Sequence, residues 1–225
     1  MKKKTSFFLW FLLFIFLTTY NFDFSKKIKN LPLSIKNIEV YGVNNSDKNR
    51  IQKKLDQFKG RSIVLIDRKK LKDIIKDFQF VKALKVKKVY PNTIKVAVTE
   101  FSPIAVFIDK DKKKYVLTDG EEIVENNEAD KFNSLPLVYG KDAEKNFYVF
   151  YSHLKRTGFR TGLIEQFNYF DINRWDIILK DDKTIKLPSK NYENSIRKFL
   201  SIYQKENFSN FKVFDFRMKG QLILK

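Results

Sequence analysis

The chain has 225 residues, 43% of them hydrophobic, with a formal net charge of +19 and no cysteine. That length holds one large domain or two small ones, and that apolar content excludes a disordered tail. The missing cysteines exclude disulfides, thiolate metal sites and cysteine nucleophiles, without fixing the compartment.

Three lysines at 2–4 precede an apolar run, SFFLWFLLFIFL at 6–17, and no charge lies between Lys4 and Asp23. As a helix, residues 5–22 span roughly 27 Å, close to a bilayer's hydrocarbon core. The rival reading is a cleaved signal peptide, which needs small residues after the run. Bulky residues follow instead, Thr18-Thr19-Tyr20-Asn21-Phe22. The expectation is a cytoplasmic tail at 1–5, an uncleaved single-pass anchor at 6–23 and a polar linker at 24–34. Long domains translocate largely regardless of charge, so the N-terminus is placed inside and the body outside.

The body opens with a short strand around Ile38 and Val40, leaving at Gly42. Asn45-Ser46-Asp47 offers an N-cap. Ile51, Leu55 and Phe58 then recur at helical spacing until Gly60. Asp67 caps a second helix with Leu71, Ile74, Ile75 and Phe78 on one face. Leu84 and Val86, then Ile94, Val96 and Val98, alternate with polar residues about a Tyr90-Pro91-Asn92-Thr93 turn, which reads as an antiparallel hairpin. Glu100-Phe101-Ser102-Pro103 is the joint to a second domain, since Pro103 lacks a ladder donor. Glu100 is either a charge partner at that joint or a solvated carboxylate.

Beyond it, Asp119-Gly120 turns a hairpin. Residues 135–140 are extended. Phe147, Phe150, Tyr151 and Leu154 lie at helical spacing up to Gly158. Strands follow near 166–170, 174–180 and 184–187. A second helical stripe runs through Tyr192, Ile196, Phe199, Leu200 and Tyr203, and the chain closes on apolar stretches at 211–216 and 222–224. The fold class is therefore α+β: a strand-helix-helix-strand-strand unit at 35–106, then a mostly antiparallel β domain with helices packed on it at 107–225.

Little here suggests catalysis. His153 stands alone on a helix, so a packed or surface histidine is expected rather than a metal site or triad. Asp109-Lys110-Asp111-Lys112-Lys113-Lys114 lacks the oxygen ligand and glycine of a calcium loop. The acidic stretch 121–130 reads as a solvated loop. No Gly-rich phosphate loop is present. The charge suggests an anionic partner such as nucleic acid, lipid or wall polymer. It is mostly lysine, however, and planar phosphate recognition favours arginine, so a soluble surface is the preferred reading over a nucleic-acid site. No catalytic residue, cofactor, metal, nucleic acid or small-molecule substrate is expected.

Several segments are recognisable together. Ile38-Glu39-Val40-Tyr41-Gly42, the Gly60 stop and Ile66-Asp67 resemble a POTRA domain. Residues 86–94 and 98–105, then Thr118-Asp119-Gly120, Leu135-Pro136-Leu137-Val138-Tyr139-Gly140 and Val213-Phe214-Asp215-Phe216-Arg217, resemble in order the FtsQ/DivIB family of bacterial division proteins. The resemblance implies a non-enzymatic scaffold of the cell inner membrane. Its body would be periplasmic, located at the septum, and would link early and late division proteins. FtsB-like and FtsL-like proteins are the implied partners, with other membrane proteins of the divisome.

It also implies strand addition at the C-terminal edge. That carries Phe214, Phe216, Arg217, Met218, Lys219, Gly220 and Leu222 onto the partner site, with Glu100 and Pro103 at the joint. Phe214, Phe216 and Leu222 are the expected pocketed face, or else ordinary core aromatics. Arg217 and Lys219 are expected to select acidic partner residues. Where the family usually has an aromatic residue after the arginine, this chain has Met218. The alternative functions are a POTRA-containing assembly chaperone and a membrane-tethered wall enzyme. The first usually has repeated POTRA units and a barrel, and the second needs convergent catalytic groups.

Overall fold

A computed structural model describes residues 10–15, 33–76, 78–125, 129–203 and 205–225. Residues 10–15 are helical. The rest of the expected anchor at 6–23, the tail at 1–5 and nearly all of the linker lie outside the described residues. Among the described residues, no helix is long and apolar enough to cross a membrane. The chain divides into two units, Met1–Thr99 and Glu100–Lys225.

In the first unit, β1 (Asn37–Tyr41) alternates exposed and buried residues, as a half-covered strand must. The helix α1 (Lys48–Asp56) starts where Asp47 accepts from the Arg50 N–H at 3.0 Å. It buries Ile51 and Leu55 completely. The helix α2 (Arg68–Lys76) does the same with Leu71 and Ile75. The strands β2 (Val81–Val89) and β3 (Thr93–Glu100) flank the Tyr90 turn, whose Tyr90-Pro91 peptide is cis. The sheet order is β1-β3-β2, with β1 parallel to β3 in the register Ile38↔Ile94. Ile94, Val96 and Val98 form the sheet's contribution to a core closed by the two helices. The order is the expected β-α-α-β-β.

The second unit is a nine-stranded sheet. Its strands are β4 (Pro103–Ile108), β5 (Lys114–Thr118), β6 (Ile123–Glu125), β7 (Leu137–Tyr139), β8 (Ile164–Phe170), β9 (Arg174–Leu179), β10 (Thr184–Lys186), β11 (Val213–Asp215) and β12 (Ile223–Leu224). Their order across the sheet is β12-β11-β10-β9-β8-β7-β4-β5-β6. The boundary expected between 106 and 107 falls inside β4, which belongs wholly to this sheet. Two helices, α3 (Ala143–Arg156) and α4 (Tyr192–Ile202), bury Phe147, Phe150, Ile196 and Phe199 in its core.

The sheet is mixed rather than simply antiparallel. The β4–β7, β7–β8 and β10–β11 pairs are parallel. The reason lies in the connections. The helix α3 carries the chain from β7 to β8, and α4 lies between β10 and β11. A helical crossover returns the chain beside its starting strand in the same direction. Gly140 makes the first of these crossovers possible. Its φ is +125°, and a Cβ there would stand 2.3 Å from the Tyr169 carbonyl oxygen.

Candidate partner-binding edge

The sheet of the second unit ends on β12. Its pairing with β11 is antiparallel, in the register Phe214↔Leu224 and Asp215↔Ile223. The Val213 N–H donates to the Lys225 carbonyl at 3.0 Å, and the Lys225 N–H donates to Val213 at 3.1 Å. Lys225 therefore spends both its backbone groups on β11. In an antiparallel ladder, bonded and non-bonded pairs alternate. Ile223 accordingly faces β11 as well, while the N–H and C=O of Leu224 point away from the sheet, as do those of Leu222 if the alternation continues. Among the described residues, no further strand lies beyond β12 in this sheet.

The side chains divide by face. Phe214 is fully buried, with its ring edge-on to Phe199 of α4 at 5.0 Å between centroids. Phe216 is 5% exposed. The sequence left them either on a pocketed face or as ordinary core aromatics. They are core residues, because α4 covers their face of β11. Leu222 and Leu224 pack partly against the same core. Ile223, on the opposite face, is 38% exposed, and Met218 is 55% exposed.

Arg217 is committed within the chain. Its guanidinium donates to Asp215 through Nε at 2.8 Å and Nη2 at 2.6 Å, and the Arg217 N–H donates to the same carboxylate. This bidentate pair holds the Asp215 carboxyl below its ordinary range, with burial opposing. The guanidinium expected to select acidic partner residues thus already has a carboxylate partner within the chain. It fixes the exit of β11 into the turn that leads to β12. That turn closes with the Gln221 N–H donating to Met218 O at 3.2 Å. Gly220 holds φ +79° at its third position, which type II geometry reserves for glycine.

Beside this turn runs a groove of about 430 Å³ between the start of α4 and residues 216–221. Its lining includes Lys190, Lys198 and Lys219, with Arg217 already paired to Asp215, and no carboxylate among the described residues. Lys219 is where sequence reading placed a cation for an acidic partner. Lys190 and Lys198 were missed, and no local signal could find them, because only the β10–α4–β11 crossover brings them to this edge.

The joint residues fall at strand ends. Glu100 ends β3, and Pro103 begins β4, where a missing donor costs the ladder least. Elsewhere, His153 Nδ1 lies 3.1 Å from the Tyr192 hydroxyl and 2.9 Å from Glu193, so it links α3 to α4. Asp109 accepts from the N–H groups of Asp111 and Lys113, closing its own loop. Among the described residues, no group of three metal-ligating side chains is assembled.

Comparison with known proteins decides the family. Residues 33–101 match the family model described as POTRA domain, FtsQ-type, and residues 105–217 match Cell division protein FtsQ/DivIB, C-terminal. The chain belongs to the FtsQ/DivIB family. It is 27% identical over 194 residues to the cell division protein FtsQ of Rickettsia bellii, covering 85% of this chain and 72% of that one. With FtsQ of Rickettsia conorii the identity is 27% over 209 residues, 92% of this chain and 76% of the relative. FtsQ of Rhizobium meliloti is 30% identical over 129 residues, 57% of this chain and 41% of its own length. The FtsQ family is one of non-enzymatic division proteins. The C-terminal family match stops at residue 217, so the turn at 218–221 and β12 lie beyond it.

Proposed function

We propose that this FtsQ-family protein is a membrane-anchored division scaffold that docks an extended segment of an FtsB-like partner onto β12. The apolar segment at 6–23 tethers it to the inner membrane, with the body in the periplasm. FtsL-like proteins and other divisome membrane proteins join through the docked partner.

One observation carries the reading: the outward N–H and C=O of Leu224 at the open end of a nine-stranded sheet. Unpaired strand edges bind extended chains through the backbone, and side-chain pockets choose among them. The basic groove beside the turn favours a partner carrying acidic residues next to its strand.

Proline substitution tests it. Leu224→Pro or Leu222→Pro removes an outward donor and leaves the bonds to β11 in place. Either should abolish capture of the partner's periplasmic segment while circular dichroism and urea unfolding stay near wild type. Ile223→Pro removes a donor facing β11 and serves as the destabilised comparison. Undiminished capture by both Leu222→Pro and Leu224→Pro would rule out strand addition here.

A further inference from the structure

The charge is unevenly divided between the two units. Residues 33–99 carry 17 Lys and Arg against 6 Asp and Glu, whereas residues 100–225 carry 22 against 19. Within the basic unit an apolar tip breaks the surface. Val64 and Leu65 are consecutive and 49% and 65% exposed, while Ile63 and Ile66 on either side are buried. The buried pair holds the tip outward. Arg61, Arg68 and Lys69 flank it and are all exposed, and Lys88 Nζ donates to the Val64 carbonyl at 3.0 Å.

The tip has a definite place. The Ile63 N–H donates to Leu33 O, the Ile35 N–H to Arg61 O, and the Gly60 N–H to Ile35 O. The loop is therefore bonded to the residues by which the chain enters this unit. The N–H groups of Lys36 and Asn37 both donate to Asn92 O, which brings the Tyr90 turn to the same end. Tyr90 is 58% exposed there. In the sequence, only residues 18–32 separate this end from the apolar run at 6–17.

We infer that this end of the POTRA unit docks on an anionic phospholipid surface. Val64 and Leu65 enter the boundary between headgroups and acyl chains, and Tyr90 lies at the interface. Arg61, Arg68, Lys69 and Lys88 meet the phosphates. An apolar tip flanked by four cations and one exposed carboxylate, Asp67, suits a surface that offers both an apolar layer and negative charge. Wall polymer or nucleic acid supplies acidic groups but no layer for Val64 and Leu65. The inference goes beyond partner docking at β12 and takes from that reading only the tether.

The absence of cysteine makes the test direct, because Leu65→Cys creates a single labelling site. Full-length protein carrying an environment-sensitive fluorophore at position 65 is reconstituted in vesicles of phosphatidylglycerol with phosphatidylcholine, and in phosphatidylcholine alone. The expected result is a blue-shifted emission, quenched several-fold more by spin-labelled lipid in the anionic vesicles. A label at Tyr41→Cys, at the other end of β1, should stay water-like in both. Adding Arg68→Glu with Lys69→Glu should return the position-65 signal to its phosphatidylcholine level. Equal quenching in the two lipids overturns the inference, as does a label at 65 as water-like as one at 41. A label indifferent to lipid but shifted by purified wall polymer overturns it in favour of that polymer. Carbonate extraction of the same vesicles reports the tether separately, so loss of the anchor and loss of docking are scored apart.

Discussion

Arg217 turns back onto Asp215, two residues upstream, and grips its carboxylate with Nε and Nη2 at 2.8 and 2.6 Å. The carboxylate is nearly buried and the guanidinium half exposed, so the pair closes the end of β11 from the solvent side. Asp215→Asn keeps the shape and removes the charge. It should cost about 1–2 kcal/mol of stability, near the low end for a charge-assisted bond because Arg217 faces water. Urea unfolding measures this. Partner capture should weaken with it, since the turn into β12 loses its fixed exit.

Two carboxylates in this sheet should respond to pH with opposite sign. Arg217 holds Asp215 below its ordinary range. Its contribution is present above the unfolded value, roughly pH 4, and is lost as pH falls through the lower folded value. Burial pushes Asp176 up, and Arg174, Lys186 and Arg217 offset this only in part. Its Oδ1 has no hydrogen-bond partner among the described residues, with Arg174 Nε at 3.6 Å. Ionising Asp176 therefore costs stability as pH rises past roughly 4. Asp176→Asn should leave stability unchanged near pH 3 and raise it by about 1 kcal/mol at pH 7, read from paired urea titrations. Asp215→Asn should show its full cost at pH 7 and a smaller one at pH 3.

Phe214 and Met218 are close in sequence and far apart in consequence. Phe214→Ala opens a cavity against Phe199 and should cost about 3–5 kcal/mol. Met218→Ala, at a side chain 55% exposed, should cost less than about 0.5 kcal/mol. Thermal or urea unfolding of both variants checks the assignment of Phe214 to the core.

Gly140 offers a backbone test of the parallel crossover. Gly140→Ala places a methyl group against the Tyr169 carbonyl at a positive φ, and both effects oppose folding. Loss of about 2 kcal/mol or more is expected, seen as a lower urea midpoint. Gly220→Ala meets no neighbour and should cost only the φ penalty, about 1 kcal/mol.

Lys190 and Lys198 line the groove beside the turn. Reversing both to Glu should weaken partner association by about tenfold at low salt and by less at high salt, as screening removes the field. Titration at two ionic strengths reads the difference. Stability should be nearly unchanged, because both side chains are exposed.

Much of the architecture was legible in the sequence. The periodicity of Ile51, Leu55 and Leu71, and the alternation of Ile94, Val96 and Val98, name the buried faces of the first unit because burial there follows local period. The parallel pairs were harder to see. The sequence holds a strand at 135–140, a helix and a strand at 166–170, a pattern that implies a parallel crossover, yet each element read alone suggests only a meander. The edge was the least legible part. Phe214, Phe216 and Arg217 lie in a recognisable segment, but whether a strand is interior or terminal is a property of the whole sheet. A two-residue β12 beyond the turn takes the edge from β11, and α4 covers the face that its aromatics occupy.

Hydrogen exchange at β12 tests strand addition most directly. In the free protein the amides of Ile223 and Lys225 should already be slow, and that of Leu224 fast. Saturating partner should slow Leu224, and Leu222 with it, while Ile223 and Lys225 change little. An unchanged Leu224 amide in a complex shown to be fully bound would contradict the account.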